Sequence, residues 1–206
     1  VEVAAIITVF VTIFVVIDPI GLTPMFVALT QGDTAQHRRA IAIRGCLIAM
    51  VVLTLFGLFG ESVLTFVGIS MPAFRISGGI LLFLTALDML FERRSERRKG
   101  QSAKADDPSV FPLATPLIAG PGSIATMILL TTQADGVRDI VTVHVIMISV
   151  ILVVLALFLA AGLIERVLGD TGIKVVTRLL GMLLAALSVQ FVLDGLQSFG
   201  LAAALN

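Results

Sequence analysis

The sequence predicts an all-α integral membrane protein with six transmembrane spans, and three observations lead to this fold class. Hydrophobic residues make up 58% of the 206 residues, charged residues make up only 14%, and the mean hydropathy is +1.09. About a quarter of a soluble globular chain is charged. The apolar residues fall into six runs close to the ~20 residues that cross a bilayer core. Two of these runs are interrupted by proline and glycine with apolar sequence on both sides.

The six predicted spans cover residues 3–30, 41–60, 63 or 69 to 91, 110–132, 140–163 and 173–199. Residues 92–109 are the extended hydrophilic stretch, and we predict a basic linker there between two halves, residues 1–91 and 110–206, of one membrane domain. Only Glu2 precedes the first apolar run. Because a signal peptide begins with basic residues, we expect a retained helix.

The distribution of basic residues predicts the orientation. The loops and span ends on one side hold twelve of the fourteen Lys and Arg residues, and the other side holds Arg75 and Arg138. Because Lys and Arg favour the cytoplasmic side, this asymmetry places both termini outside and linker 92–109 in the cytoplasm of a multi-pass inner-membrane protein. The net charge is zero, so nucleic acid is not an expected partner.

The two halves carry matching features. Pro19 and Pro121 are 102 positions apart, and Arg-x-x-Gly begins both the third and the sixth predicted span, at Arg75 and Arg178, 103 positions apart. Related halves of three spans each must have opposite orientations in the membrane. The sequence therefore predicts two inverted three-helix repeats with spans 1 and 4 broken near the midplane. Each broken span either crosses fully or folds back as a re-entrant hairpin.

The breaks themselves point to a binding site. The first contains Asp18, Pro19, Gly21 and Thr23-Pro24, and the second contains Gly120, Pro121, Gly122 and Ser123. Proline opens a helix, glycine permits a sharp turn, and Ser or Thr caps a new helix, so we expect half-helices beginning near Thr23 and Ser123. Paired breaks in two halves are the best sequence indicator of a transporter's substrate site.

A new helix start exposes backbone N–H groups and the positive end of the helix dipole, which suit a carboxylate. The carbonyls at the end of the preceding half-helix suit an ammonium group or a cation. The predicted substrate is therefore an amino acid, and glycines 21, 120 and 122 favour a small one. The candidate substrate-binding residues are Asp18, Gly21, Thr23, Gly120, Gly122 and Ser123.

Asp18 is the sharpest single candidate, because a carboxylate deep in a membrane span is costly and by default functional. It either pairs with a substrate ammonium, binds Na⁺ or carries a proton, or it caps local backbone N–H groups beside Pro19. We expect no protein-bound metal beyond Na⁺ near Asp18 and no cofactor beyond Na⁺ or H⁺ as a coupling ion. Arg75, Arg178 and Gln190 are coupling or gating candidates, with interface anchoring and helix packing as the simpler roles.

The chain resembles the MarC family of bacterial and archaeal integral membrane proteins over nearly its whole length. The matching stretches are Asp18-Pro19-Ile20-Gly21, Phe74 to Gly79, Ala86 to Leu90, Pro112 to Leu117, Gly120 to Ile124, Arg178 to Gly181 and Gln190 to Gly195. Related archaeal members of the SnatA type are considered transporters of glycine and alanine. The resemblance implies a secondary transporter of small neutral amino acids, coupled to Na⁺ or H⁺.

Two other hypotheses stay open at this point. An exporter or channel for another small solute would have the same fold, although thirteen Phe without Trp or Tyr argue mildly against a wide drug pocket. An intramembrane enzyme is the remote alternative: Ser123 and His144 form a conceivable dyad, but no orienting acid is evident and the zinc-protease motif H-E-x-x-H is absent. The expected partners are a small neutral amino acid and the bilayer, and an oligomer is compatible with the sequence.

Overall fold

The computed structural model describes residues 3–91 and 108–199, without the side chains of residues 164–166, 168 and 170. The described chain is helical throughout, in eight elements numbered in chain order. They are α1 (Val3–Ile17), α2 (Pro19–Leu29), α3 (Ala35–Val67), α4 (Met71–Leu90), α5 (Ser109–Ile118), α6 (Pro121–Thr132), α7 (Val137–Leu159) and α8 (Ala161–Ser198).

The candidate membrane spans number five or six, which is consistent with the predicted six. Five stretches are long and apolar enough to cross a bilayer, namely Val3–Leu29, α3, α4, α7 and Thr171–Ser198. The pair of α5 and α6, bent by 54°, is a sixth span if it crosses as one broken span; otherwise it is a re-entrant loop. The all-α membrane fold is therefore confirmed.

Local sequence explains where the helices begin and end. Thr34 caps α3 by accepting a hydrogen bond from the His37 N–H at 3.2 Å, and Ser70 caps α4 by accepting one from the Ala73 N–H at 3.4 Å. Such caps satisfy N–H groups that have no partner inside the helix. Gly68 ends α3 in a left-handed conformation (φ 80°) that glycine adopts at little cost.

One predicted span start is corrected. Helix α3 continues to Val67, so the third span does not start at residue 63 but at Met71, close to the alternative start at 69. Helix α8 begins at Ala161 and breaks at Gly169 (φ 59°), and its candidate membrane span, Thr171–Ser198, agrees with the predicted span 173–199. Ser109, the last residue of the predicted linker, is fully buried at the start of α5. The rest of the linker, residues 92–107, lies outside the described residues.

The apolar residues exposed on the outer faces of the helices are explained by a surrounding lipid bilayer. On α3, Gly45, Ala49 and Leu53 face the interior, while the opposite face exposes side chains at helical spacing: Leu47, Val51, Leu55 and Leu58. The interior face packs mainly against α5, α6 and α7. An apolar outer face is stable only in a hydrocarbon environment, since water would disfavour its exposure.

Helices α4 and α8 pack against each other in antiparallel directions. Near one end Gly195 packs on Pro72 and Ile76, and near the other Gly181 packs on Met89. Between them, Gly79 lies against the backbone of Ser188. Oppositely oriented repeats require antiparallel packing of the third and sixth spans; the division into residues 1–91 and 110–206 as inverted repeats stays a prediction.

Candidate functional site

The first break is built on Asp18. Its backbone is left-handed (φ 56°, ψ 64°), and its side chain caps α2 by accepting a hydrogen bond from the Gly21 N–H at 3.0 Å. Only 1% of Asp18 is exposed. The predicted break is therefore present, with the carboxylate buried inside the protein at membrane depth.

The predicted role of Thr23 as the cap is wrong. Helix α2 begins at Pro19, so Thr23 and Pro24 lie inside it. The Thr23 hydroxyl is buried and donates to the Pro19 carbonyl at 3.0 Å. Proline at the first helical position needs no N–H partner, and Asp18 provides the cap immediately before it. The sequence contains an equally good start signal, Asp-Pro, five residues before Thr-Pro, and the helix begins at the earlier one.

At the end of α1, one backbone carbonyl lacks the N–H donor that a continuous helix would provide. Pro19 has no N–H to offer the carbonyl of Val15, which is four residues earlier. The N–H of Gly21 donates to the Asp18 carboxylate. The first break thus combines a buried carboxylate with a carbonyl that loses its helical partner, and both attract cations.

The second break has a different cap. Gly120, extended at φ −86° and ψ 172°, precedes α6, which begins at Pro121. Ser123 therefore lies in the first turn and is not the predicted N-cap. A side chain on Gly120 would lie 2.5 Å from the Pro116 carbonyl oxygen. Glycine is needed here because of this close approach of two backbone segments.

The segment before the second break is not the straight half-helix that we predicted. Phe111 and Thr115 are extended, and each precedes a proline joined by a cis peptide bond. The turns of α5 are wide, and the Ala119 N–H donates to the Ala114 carbonyl five residues earlier at 2.8 Å. The two breaks therefore differ in shape: α5 and α6 are bent by 54°, whereas Val3–Leu29 qualifies as a single candidate span.

The structure brings the two breaks together. A Cβ on Gly122 would lie 3.7 Å from Val16 of α1 and 3.7 Å from the Thr85 hydroxyl of α4. The end of α1 and the first turns of α6 also line one crevice with α3, formed by Ile13, Val16, Ile17, Leu53, Ser123, Thr126 and Met127. This crevice has no room for a water molecule. The end of α1, beside Asp18, thus contacts the start of α6.

Sequence reasoning missed Thr126. Its side chain is 1% exposed and lines the crevice one turn after Ser123, and its hydroxyl has no hydrogen-bond partner within the described part of the chain. A buried hydroxyl without a partner carries an energetic cost. The signal that would have found it is the spacing of three between Ser123 and Thr126, which places two hydroxyls on one helix face.

Arg75, Arg178 and Gln190 lie on the helix pair α4 and α8. Arg75 donates from Nη1 to the Ser198 hydroxyl at 3.3 Å, which ties one end of α4 to α8. Arg178 is three residues before Gly181, at the opposite end of this helix pair. Gln190 is exposed and donates to Asp194 at 2.7 Å. Their coupling or gating role stays a prediction.

The suggested dyad of Ser123 and His144 is not formed. The Nδ1 atom of His144 lies 2.8 Å from the Ile140 carbonyl, and no described residue forms a hydrogen bond with Nε2. A Cβ on Gly57 would lie 2.8 Å from Nε2, so this nitrogen faces α3. Among residues 3–91 and 108–199, no three His, Cys, Asp or Glu side chains cluster as a metal site would require.

Comparison with known proteins identifies relatives over almost the entire chain. The sequence profile described as "MarC family integral membrane protein" matches residues 3–199. A membrane protein of Methanocaldococcus jannaschii named UPF0056 is 36% identical over 193 residues, which cover 91% of this chain and 94% of that protein.

Bacterial relatives are similar to the same extent. YvbG, a UPF0056 membrane protein of Bacillus subtilis, is 35% identical over 93% of this chain and 94% of its own length. The UPF0056 inner membrane protein YhgN of Escherichia coli is 35% identical over 93% of this chain and 96% of its own length. No solved structure matches the chain.

Proposed function

This chain belongs to the MarC family of integral membrane proteins, and we propose that it is a secondary transporter of small neutral amino acids such as glycine and alanine. In this proposal the substrate binds between the two helix breaks, and its movement is coupled to Na⁺ or H⁺. The observation that carries the proposal is the contact of the α1 end, beside the buried Asp18, with the first turns of α6.

The start of α6 suits the substrate carboxylate. The first turn of a helix has N–H groups without helical partners and the positive end of the dipole. No side chain occupies these groups through a cap at Gly120. Ser123 and Thr126 add two hydroxyl donors on the same face, and both line the crevice. This arrangement binds a carboxylate without an arginine.

The first break suits the substrate ammonium group or a coupling cation. The Asp18 carboxylate is buried where lipid surrounds the bundle, and such groups mark substrate or ion pathways. The Val15 carbonyl, which loses its partner to Pro19, is a second oxygen for a cation. Together the breaks complement a zwitterion, with donors on one side and acceptors on the other.

The crevice favours a substrate that is small and neutral. Gly122 leaves little space beside α4, since a Cβ there would lie 3.1 Å from Leu82. None of the described residues that line the crevice is charged, so a charged substrate side chain would be buried without a partner. Because the crevice does not hold a water molecule, substrate entry requires α1 and α6 to separate, and a small solute requires the least separation.

Uptake by purified protein in proteoliposomes tests the proposal. We expect vesicles loaded with low Na⁺, or with a pH gradient, to accumulate labelled glycine and alanine, and ionophores that collapse the gradient to abolish this accumulation. Empty liposomes are the control. Absence of uptake with either gradient, together with absence of exchange against unlabelled glycine or alanine, would contradict the proposal.

The same vesicles distinguish the alternative of an exporter or channel for another solute. Counterflow with a panel of small solutes measures specificity regardless of direction. Under our proposal glycine and alanine exchange fastest and other solutes compete weakly. A channel would show flux without exchange or coupling. We also propose that the protein is not an enzyme, in keeping with a His144 that does not contact Ser123.

A further inference from the structure

A second, open cavity shares no lining residue with the crevice at the breaks and lies between the start of α3 and the junction of α7 with α8. It encloses about 160 Å³. Two guanidinium side chains, Arg38 and Arg39, line it together with the aromatic rings of Phe26 and Phe158 and the side chain of Leu159. The proposed transport site uses none of these residues.

Aromatic packing positions the guanidinium group of Arg38 at the cavity. The rings of Phe26 and Phe158 stack with centroids 4.5 Å apart and planes inclined by 9°. The guanidinium carbon of Arg38 lies 5.8 Å from the centroid of Phe26, a cation–π arrangement. Both rings are buried. A guanidinium positioned on a rigid aromatic pair loses little side-chain freedom when it binds a ligand.

The charges at this cavity are unbalanced. No acidic residue lines it among the side chains that the structure describes, and the first turn of α3 contains none. Arg38 and Arg39 lie near the positive end of the dipole of α3, where cations are disfavoured. Asp33 precedes the cap residue Thr34 but does not line the cavity. An anion between the two arginines would relieve this unfavourable arrangement.

Apolar helix surface begins directly beside the cavity. The buried apolar face of α3 begins at Ile41, three residues after Arg38. Helix α7 ends at Leu159, which is 51% exposed at the cavity wall. A polar head at the arginines would therefore be adjacent to a surface that suits an acyl chain. The charge distribution predicts this face to be cytoplasmic, where basic pockets between membrane helices bind anionic headgroups.

We propose that this cavity binds the phosphate group of an anionic phospholipid. Guanidinium groups bind phosphate oxygens through pairs of parallel hydrogen bonds, and two arginines line this cavity. The bound lipid would tie the start of α3 to the junction of α7 and α8. This proposal is independent of the transported substrate.

Lipid binding to the purified full chain tests the proposal. Delipidated protein in detergent is titrated with phosphatidylglycerol, cardiolipin or phosphatidylcholine, and retained lipid is counted by native mass spectrometry alongside the melting temperature. We expect the anionic lipids to be retained and to raise the melting temperature, and phosphatidylcholine to do neither. A parallel titration with inorganic phosphate at equal concentration tests whether a soluble phosphate ligand binds instead.

Matched variants locate the site. Arg38→Gln/Arg39→Gln should weaken retention of anionic lipid about tenfold or more, because it removes both charged donors to the phosphate group. Arg138→Gln, an exposed arginine at the start of α7, should leave retention unchanged. If the double variant does not fold, Arg39→Gln alone, whose side chain is exposed, should still reduce retention.

Two results would overturn the proposal. Equal retention of anionic lipid by Arg38→Gln/Arg39→Gln and Arg138→Gln would show that the cavity is not the binding site. A melting-temperature increase with inorganic phosphate as large as that with lipid would reject the lipid assignment in favour of a soluble phosphate ligand.

Discussion

The carboxylate of Asp18 occupies the space in which a side chain on Gly21 would stand. A Cβ built on Gly21 would overlap the carboxylate oxygen Oδ2, while the Gly21 N–H donates to Oδ1 at 3.0 Å. The two residues thus form one unit: glycine permits the carboxylate to fold back over the first turn of α2, and the carboxylate caps that turn. The position of the buried charge depends on this pair.

Gly21→Ala should therefore displace Asp18 and lower both stability and transport. Overpacking of this kind costs about 1–3 kcal/mol, measured as a lower melting temperature in detergent. Gly162→Ala is the matched control, because a Cβ there meets no atom within 4 Å. Equal effects of the two substitutions would argue against the proposed unit of Asp18 and Gly21.

Asp18→Asn separates the functional charge from the structural cap. Asparagine tolerates the left-handed backbone at φ 56° and accepts the same hydrogen bond from Gly21. We expect the melting temperature to change little and transport to fall about tenfold or more, the value of one lost charge-assisted contact. Asp18→Ala should lower both. Parallel loss of stability and transport in Asp18→Asn would favour a purely structural role.

Thr126→Val should stabilise the protein and reduce transport. The Thr126 hydroxyl is buried without a partner among the described residues, so its removal should raise stability by about 1 kcal/mol. Thr131→Val is the matched control on the same helix. Its hydroxyl donates to the carbonyls of Met127 and Ile128, so its loss should destabilise by about 1 kcal/mol with transport retained. Unchanged transport in Thr126→Val would remove Thr126 from the site.

Neighbouring glycines on α4 should respond differently to alanine. A Cβ on Gly79 would lie 2.7 Å from Val192 and 2.8 Å from the Ser188 carbonyl, whereas on Gly78 it would make ordinary contacts of 3.4 Å or more. We expect Gly79→Ala to cost about 1–3 kcal/mol and Gly78→Ala to be tolerated, as shown by thermal unfolding. The reverse order would contradict the antiparallel packing of α4 on α8.

Cysteine labelling tests the predicted orientation. In a Cys46→Ala background, which removes the chain's single cysteine, exposed loop residues are replaced one at a time. An impermeant maleimide added to intact cells should label Asp135→Cys and leave Gln31→Cys unlabelled until the membrane is opened. Labelling in the opposite order would invert the topology.

The location of both breaks followed from Asp18-Pro19 and from Gly120-Pro121-Gly122, since proline and glycine together disfavour a continuous helix. The identity of the residue that caps α2 did not follow from the sequence. Both Asp18 and Thr23 precede a proline and both are good caps, so only the folded chain, with Gly21 under the carboxylate, distinguishes them. In α5, Phe111 and Thr115 are extended, and each precedes a proline, which disfavours a helical conformation of the residue before it. The predicted half-helix did not take this effect into account.

Composition, hydrophobic runs and helix-breaking residues by themselves determined the membrane class, the number of spans and the two interruptions, because each is a property of local sequence in a lipid solvent. Only the tertiary structure decided which groups meet. It placed Val16 beside Gly122 and buried Thr126 next to Ser123. It also paired Arg75 with Ser198 and Gln190 with Asp194 on helices α4 and α8. The contacts of Val16 with Gly122 and of Arg75 with Ser198 join residues more than a hundred positions apart. Helix packing determines these contacts, and local propensity does not reveal them.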